Sequence, residues 1–151
     1  MVRINHDFAC GYCGVTEADV GSTLAIEHYQ PRSSGGSDAI DNLVYSCPMC
    51  NSHKGDTWDA TAPPVLHLLR DVLGEHLRLE SDGTMTALTS AGARHIETLH
   101  LNRLPHIEHR RFRRLKEAFT EWFSQKEARL AELEKEVTRL KGAAQRKKKV
   151  D

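Results

Sequence analysis

Two Cys-x-x-Cys pairs constrain this chain more than any other feature of its sequence. Cys10 and Cys13 form the first pair, Cys47 and Cys50 form the second, and the sequence of 151 residues has no other cysteine. Two pairs of this kind indicate one tetrahedral zinc site. Four thiolates close such a site, so the ion is structural and leaves no open position for chemistry. The sequence therefore predicts a small zinc-held domain whose chemistry comes from other residues.

Disulfides are the alternative use of four cysteines. The first twenty residues lack a basic segment followed by an apolar core, so we expect no secretory signal. In a reducing compartment, cysteines hold metal more often than they form disulfides. We therefore favour zinc over two disulfides and expect a cytoplasmic protein. No run of about 18 apolar residues occurs, so we expect no membrane-spanning helix.

The formal net charge of zero conceals an asymmetry along the chain. Residues 1–60 contain three basic and eight acidic side chains, whereas residues 103–151 contain fifteen basic and eight acidic ones. An acidic part that holds metal, joined to a basic part, suits an enzyme that acts on a polyanion. A charged helical tail that only confers solubility explains the same asymmetry equally well.

The residues between and after the cysteine pairs predict a hairpin followed by a helix. The apolar run 23–26 predicts one strand, with Glu27 and His28 at its end, and residues 42–46 predict an antiparallel partner. A short helix is expected to begin at Pro48 or at Asn51 and to run to about Lys54. Zinc would then clamp the far edge of the hairpin to the start of this helix.

The middle of the chain predicts a second, smaller hairpin. Residues 59–64 have the composition of a linker, and residues 65–73 could form a short helix. An Asp-Gly turn between the alternating segments 77–80 and 84–88 predicts a β-hairpin. A helix over residues 91–101 is expected to follow.

A long helix is predicted to begin near Pro105, to run to about Lys141 and to end at Gly142. Within it, positions repeat at spacings of four and three: Phe119, Phe123, Lys126, Leu130, Leu133, Val137 and Leu140. This pattern predicts a coiled-coil seam of about three heptads, through which two chains could pair as a homodimer. The alternative is a helix that packs partly on its own domain. Residues 143–151 predict a basic, disordered tail.

Glu27, His28 and Asn51 are the candidates for chemistry. The adjacent Glu27 and His28 are by themselves also compatible with solvated surface, but the zinc-held hairpin and helix bring them near the Asn51 carboxamide. A hard divalent cation prefers oxygen ligands, which Glu27 and Asn51 supply. Adjacent strand residues point to opposite faces, so we expect His28 to act as a general base for water. His53 lies about 200° around the helix from Asn51 and is not expected to share that metal.

This part of the chain resembles the HNH endonucleases, the ββα-metal or His-Me finger nucleases. The matching segments are CGYC at residues 10–13, IEHYQPRSSGGS at 26–37 and DNLVYSCPMCNSHKGD at 41–56. The resemblance covers about a third of the chain, and the spacing, the cysteine pairs and all three motif letters agree. Residues 83–111 are similar to an extension that follows the motif in some members.

The resemblance implies a role for each motif residue. His28 would be the general base, and Asn42 would bond the loop backbone so that His28 is oriented. Asn51, with Glu27, would hold a Mg²⁺-like cation, which makes His28, Asn42 and Asn51 the predicted catalytic set. Asp is frequent where Glu27 stands, and His is frequent where Asn51 stands, so the preferred metal stays open. The family implies products with 5′-phosphate and 3′-hydroxyl ends.

Basic side chains are expected to bind the phosphates of a nucleic acid, for which DNA is the predicted class. The predicted contacts are Arg32, Lys54, Arg110, Arg111, Arg113 and Arg114.

The sequence thus predicts an α+β chain in four parts. These are a zinc-held HNH core over residues 1–60, a hairpin and helix extension over 61–103, a long basic helix over 104–142, and a basic tail over 143–151. The predicted function is metal-dependent hydrolysis of phosphodiester bonds, and restriction, phage defence and mobile-element biology stay open as settings. The rival is a zinc-ribbon module that binds nucleic acid or a protein and cuts nothing. The constellation of Glu27, His28 and Asn51 favours the enzyme, because a binding module does not need it.

Overall fold

The computed structural model describes the backbone of residues 1–147 and the side chains of residues 1–142. The chain divides into two compact units, Met1–Glu108 and His109–Asp151. The first unit contains short helices and two small antiparallel sheets. This mixture confirms the predicted α+β class.

The first cysteine pair lies in a tight turn between two short helices, α1 (Val2–Asn5) and α2 (Glu17–Val20). The Cys10 amide donates to the Val15 carbonyl at 2.8 Å, and the Gly14 amide donates to the Cys10 carbonyl at 2.9 Å. Gly14 has a φ of 73°, a left-handed conformation that favours glycine. The turn therefore brings both sulfurs of the pair to one side.

The first sheet pairs β1 (Ala25–His28) with β2 (Leu43–Ser46), and α3 (Pro48–Lys54) follows directly. The strands are antiparallel, with Glu27 opposite Val44. The predicted order of hairpin and then helix is confirmed. The first strand begins two residues later than predicted, because the Leu24 amide donates to the Tyr45 hydroxyl instead of joining the ladder.

The extension consists of α4 (Leu73–His76), β3 (Leu77–Leu79), β4 (Met85–Ala87) and α5 (Ser90–Thr98). Strands β3 and β4 pair antiparallel, which confirms the second hairpin.

Two helix predictions in the extension are wrong: one helix does not form, and another ends earlier than expected. The expected helix over residues 65–73 does not form, because the amides of this segment have side-chain partners: Leu66 donates to His95 Nδ1 and His67 donates to Asp71. Helix α5 ends at Thr98 rather than near residue 101. The chain turns out of the helix at His100, whose φ is 50°.

The hydrophobic core joins the extension to the zinc-held segment. Leu99 and Leu101 are fully buried in the same cluster as Tyr12 and Val44. His95 connects the two parts by hydrogen bonds, since its Nδ1 accepts from the Leu66 amide at 3.1 Å and its Nε2 donates to the Tyr12 carbonyl at 3.0 Å. The segments predicted as 1–60 and 61–103 therefore share one core within Met1–Glu108.

The last helix, α6, runs from Leu104 to Lys147. The prediction that Gly142 ends it is wrong. A glycine inside a helix costs about 1 kcal/mol relative to alanine, and the two alanines that follow Gly142 have the highest helix propensity. Residues 143–147 of the predicted disordered tail are therefore helical, and its residues 148–151 lie outside the described part of the chain.

The apolar side chains along the second unit are exposed, among them Phe112, Leu115, Phe119, Trp122, Phe123, Leu130, Leu133, Val137 and Leu140. None of the helices in the described residues is long and apolar enough to cross a lipid bilayer.

Candidate active site and metal centre

The four cysteines converge on a single point. Their sulfur atoms all lie within 4.8 Å of one another, and the sulfurs of Cys13 and Cys47 are 3.8 Å apart. A zinc ion with four sulfurs at about 2.3 Å requires edges of about 3.8 Å between them. The four cysteines form no disulfide in this structure, and their convergence on one point favours a metal site over two disulfides. The set fits the predicted structural metal site, and four sulfur ligands suit zinc.

The start of α3 positions the second cysteine pair. Cys47 is the N-cap residue of this helix, and its sulfur accepts a hydrogen bond from the Cys50 amide at 3.4 Å. Pro48 occupies the first helical position, where its missing amide hydrogen costs nothing. A metal bound by the four sulfurs would fix the start of α3 against the turn of the first cysteine pair.

An open cleft of ≈ 450 Å³ lies beside β1 and α3. Its lining is Glu27, His28, Pro31, Arg32, Ser33, Asn51, Gly55 and Asp56. Three residues predicted for chemistry, Glu27, His28 and Asn51, thus line one cleft. Glu27 is buried and His28 is half-buried, in keeping with their adjacent positions on β1.

The Glu27 carboxylate lies in a buried environment that disfavours its negative charge. Glu27 is 8% exposed, and its Oε1 makes no hydrogen bond of ordinary geometry among the described residues. Burial raises the pKa of Glu27, and the Lys54 ammonium and then a contact with the Tyr12 hydroxyl oppose that rise. A buried carboxylate oxygen without a partner is costly, and a bound cation would relieve that cost. Together with the Asn51 carboxamide, this oxygen fits a hard divalent cation.

Asn42 closes the loop that follows β1. Its Oδ1 accepts from the Gln30 amide at 2.9 Å, and its Nδ2 donates to the carbonyls of Gln30 and Ser37 at 3.0 and 2.8 Å. Gly36 permits this closure, because a Cβ there would lie 1.8 Å from the Gln30 carbonyl oxygen. Asn42 therefore bonds the loop backbone two residues beyond His28, as the resemblance implied.

The His28 imidazole has a partner that the sequence did not reveal. Its Nε2 lies 2.7 Å from Oδ1 of Asp38, which belongs to the loop that Asn42 closes. Arg32 donates two hydrogen bonds to the same carboxylate, from Nε to Oδ1 at 2.8 Å and from Nη2 to Oδ2 at 2.7 Å. The His28 contact, followed by that of Arg32, lowers the pKa of Asp38. The imidazole and the guanidinium therefore share one ionised carboxylate at the cleft.

Residues 10–57 match the family model described as HNH endonuclease. This segment is an HNH domain. The match spans both cysteine pairs, the first sheet, α3 and the cleft between them. The comparison with curated proteins gave no match. An HNH domain indicates a nuclease-type function on nucleic acid.

Lys54 occupies a different position in the HNH domain from the one predicted. It is 2% exposed, and its Nζ donates to the carbonyls of His28 at 2.8 Å and Gly55 at 3.3 Å. Burial lowers the pKa of Lys54, while the carboxylates of Glu27 and Asp56 oppose that change. This placement ties α3 to the end of β1 and does not favour the predicted contact between Lys54 and phosphate.

His53 points away from the cleft of the HNH domain. Its Nε2 accepts a hydrogen bond from Arg103, and its ring lies 4.5 Å from that of His100, measured between centroids. Burial lowers the pKa of His53, and the positive charge of Arg103 adds to this effect. His53 thus contacts the extension, in agreement with the expected rotation away from Asn51.

The predicted phosphate contacts differ in exposure. Arg32 is exposed at the cleft but engaged with Asp38. In α6, Arg111, Arg113 and Arg114 are exposed whereas Arg110 is buried, at 5%. Arg113 also forms an ion pair with Glu117, whose nearest oxygen lies 3.6 Å from its Nε.

Two acidic residues of the site were missed. Asp38 lies ten positions after His28 and meets it only because the loop folds back, so strand periodicity gives no sign of the contact. Asp56 lines the cleft from the segment just after α3. Its signal in the sequence is its place directly after Gly55, where the helix ends.

Proposed function

We propose that the HNH domain is a metal-dependent endonuclease that hydrolyses phosphodiester bonds, with DNA as the substrate and His28 as the general base. The observation that carries this proposal is the single cleft lined by Glu27, His28 and Asn51. A module that only binds nucleic acid gains nothing from a buried carboxylate oxygen that lacks a partner. An unpaired buried oxygen lowers the stability of the fold, and a bound cation would offset that loss.

Glu27 and Asn51 would hold a divalent cation such as Mg²⁺. When bound, that cation would stabilise the negative charge that develops on the phosphate in the transition state. Neutral His28 takes a proton from the attacking water while the water oxygen forms its bond to phosphorus. The bond from phosphorus to the 3′ oxygen breaks, and the 3′ oxygen takes a proton from solvent, which leaves a 5′-phosphate and a 3′-hydroxyl. Asn42 contributes by holding the backbone of the loop that follows His28.

Exposed arginines supply contacts to the phosphates that flank the cleaved bond. Arg32 lies at the cleft, and its guanidinium can present its remaining donors to phosphate while it holds Asp38. Arg111, Arg113 and Arg114 are exposed on α6 and, with Arg110, stay in the proposal as a basic segment. Each phosphate contact releases condensed counterions, so nucleic-acid affinity should fall steeply with salt.

Zinc is the proposed ion of the four-cysteine site, and the cytoplasm is the proposed compartment. Three of the four cysteines are buried and none is paired in a disulfide, which suits thiolates held by metal under reducing conditions. The zinc would hold the start of α3 to the turn of the first cysteine pair, and would so support the helix that carries Asn51.

A homodimer through α6 is the proposed assembly. The apolar residues at spacings of four and three between Phe119 and Leu140 are exposed in the single chain, each by 40% or more. Exposed apolar side chains in such a repeat favour pairing with a second helix. Two chains would bring two active sites to one nucleic acid.

The experiment that tests the enzyme is incubation of the zinc-loaded protein with plasmid DNA, single-stranded DNA and RNA. Each substrate is tested with Mg²⁺, with Mn²⁺ and with EDTA, and the expected result is cleavage of DNA that EDTA abolishes. The matched variant is Glu27→Gln, which keeps the shape of the side chain but removes the charge that binds the cation. It should lose activity, and a higher Mn²⁺ concentration should restore part of it. Binding of every substrate without cleavage of any would favour the zinc-ribbon module.

A further inference from the structure

The contact between His28 and Asp38 is built into the fold of the loop between β1 and β2. Asn42 bonds the carbonyl of Ser37, the residue before Asp38, and both backbone groups of Gln30, two residues after His28. One side chain thus fixes the backbone on both sides of the contact. Arg32 then orients the carboxylate by two parallel hydrogen bonds, the most directional arrangement an arginine can form.

We propose that Asp38 is the positioning residue for the His28 base, and that it selects the nitrogen that takes the proton. The inference rests on the proposed function and deepens it. An ionised carboxylate only accepts hydrogen bonds, so the His28 Nε2 at 2.7 Å must carry the hydrogen. In a neutral imidazole the lone pair is then on Nδ1, which becomes the nitrogen that accepts the proton of the attacking water.

The carboxylate also acts during the reaction. Transfer of a proton from water to Nδ1 gives an imidazolium with hydrogens on both nitrogens. Asp38 faces this positive charge through Nε2 and stabilises it without taking the proton. The proton leaves from Nδ1 when the site returns to its starting state, so Asp38 stays ionised throughout.

A purely structural role for Asp38 predicts different results. The side chains of Asp38 and Arg32 are 65% and 67% exposed. Ion pairs this exposed contribute little to stability. Replacement of Asp38 should therefore leave the fold nearly as stable as before, and a large effect on cleavage would have to come from the imidazole.

The decisive variant is Asp38→Ala, which removes the carboxylate oxygen that accepts from His28 Nε2. Asp38→Asn is less informative, because its amide oxygen can stay at the position of Oδ1, where it still accepts from His28 Nε2 and Arg32 Nε. In Asp38→Ala this contact no longer holds the hydrogen on Nε2, so a share of the imidazole carries it on Nδ1, where it cannot accept a proton from water. The matched control is Asp41→Ala, which replaces an exposed carboxylate of the same loop outside the contact.

The tautomer is read from the ¹⁵N resonances of the His28 ring in the full-length, zinc-loaded protein, with His28→Gln used for assignment. The parent and Asp41→Ala should carry the hydrogen on Nε2, whereas Asp38→Ala should show a population with the hydrogen on Nδ1. In cleavage, kcat should fall by about 10²-fold for Asp38→Ala, with no loss of affinity for DNA and with stability close to that of the parent. Asp38→Glu, which keeps the carboxylate, should recover part of the loss.

Two results would overturn the inference. If Asp38→Ala keeps the hydrogen on Nε2 alone or cuts at the parental rate while the parent is active, the proposed function stands and Asp38 is not the positioning residue. If the parent cuts no nucleic acid, the base itself fails, and the role of Asp38 fails with it whatever the spectrum shows.

Discussion

The Asn42→Ala variant tests how the loop between β1 and β2 is held in place. Asn42 is 8% exposed and makes three hydrogen bonds to loop backbone groups, at 2.8 to 3.0 Å. Each such bond contributes about 1 kcal/mol, and the Ser37 carbonyl can bond water instead because Ser37 is exposed. We therefore expect the free energy of unfolding to fall by about 2–3 kcal/mol.

Hydrogen exchange locates this loss in the structure. The Gln30 amide donates to Asn42 Oδ1 and loses its acceptor in the variant, so its protection should fall on the order of 30- to 100-fold. Cleavage should fall as well, because neither His28 nor Asp38 would be held in position. Asn102→Ala is a matched control: Asn102 makes the same double contact with the backbone of Met85, but at an exposed site in the extension. An unfolding free energy within 0.5 kcal/mol of the parent, with protection of Gln30 unchanged, would refute this reasoning.

Three further predictions concern metal, pH and assembly. Metal analysis should find one tightly bound zinc per chain, and Cys50→Ser should unfold residues 8–56, since structural zinc contributes about 10–16 kcal/mol of apparent binding energy in small domains; a folded, zinc-free protein with reduced thiols would contradict this. Burial lowers the pKa of His95 to about 4, so the folded state binds fewer protons than the unfolded state below pH 6.5. The free energy of unfolding should fall by about 1.4 kcal/mol for this group between pH 7.5 and 5.5, and denaturation curves of His95→Gln should show a shallower dependence on pH. Light scattering should give a dimer for the full chain and a monomer for a chain truncated after Arg114; monomers in both cases would refute the coiled coil.

The features that were predictable from the sequence are those with a fixed spacing. The cysteine pairs fix a metal site because four sulfurs can meet only when the two turns face each other, and the structure brings them within 4.8 Å. The Asp-Gly turn likewise identified the second hairpin, because few other residue pairs adopt that turn. Helical geometry was enough to separate His53 from Asn51.

The features that escaped prediction depend on contacts between distant residues. Lys54 was predicted to contact phosphate, whereas in the structure its ammonium is buried and donates to two carbonyls at the ends of β1 and α3. The segment 65–73 has a helical composition, but its Leu66 and His67 amides donate hydrogen bonds to the side chains of His95 and Asp71. The Asp38 contact exists only once the loop between β1 and β2 has closed on Asn42.

The central claim is that His28 is the base of a phosphodiester hydrolase. The measurement is a cleavage time course of the parent, His28→Ala and His53→Ala over a titration of Mg²⁺ and Mn²⁺. We predict that His28→Ala keeps the fold and the zinc but loses about 10² to 10⁴ in rate at every metal concentration. His53→Ala should cut within a few fold of the parent, because His53 contacts Arg103 and lies outside the cleft. Normal cleavage by His28→Ala together with an inert His53→Ala would contradict the account.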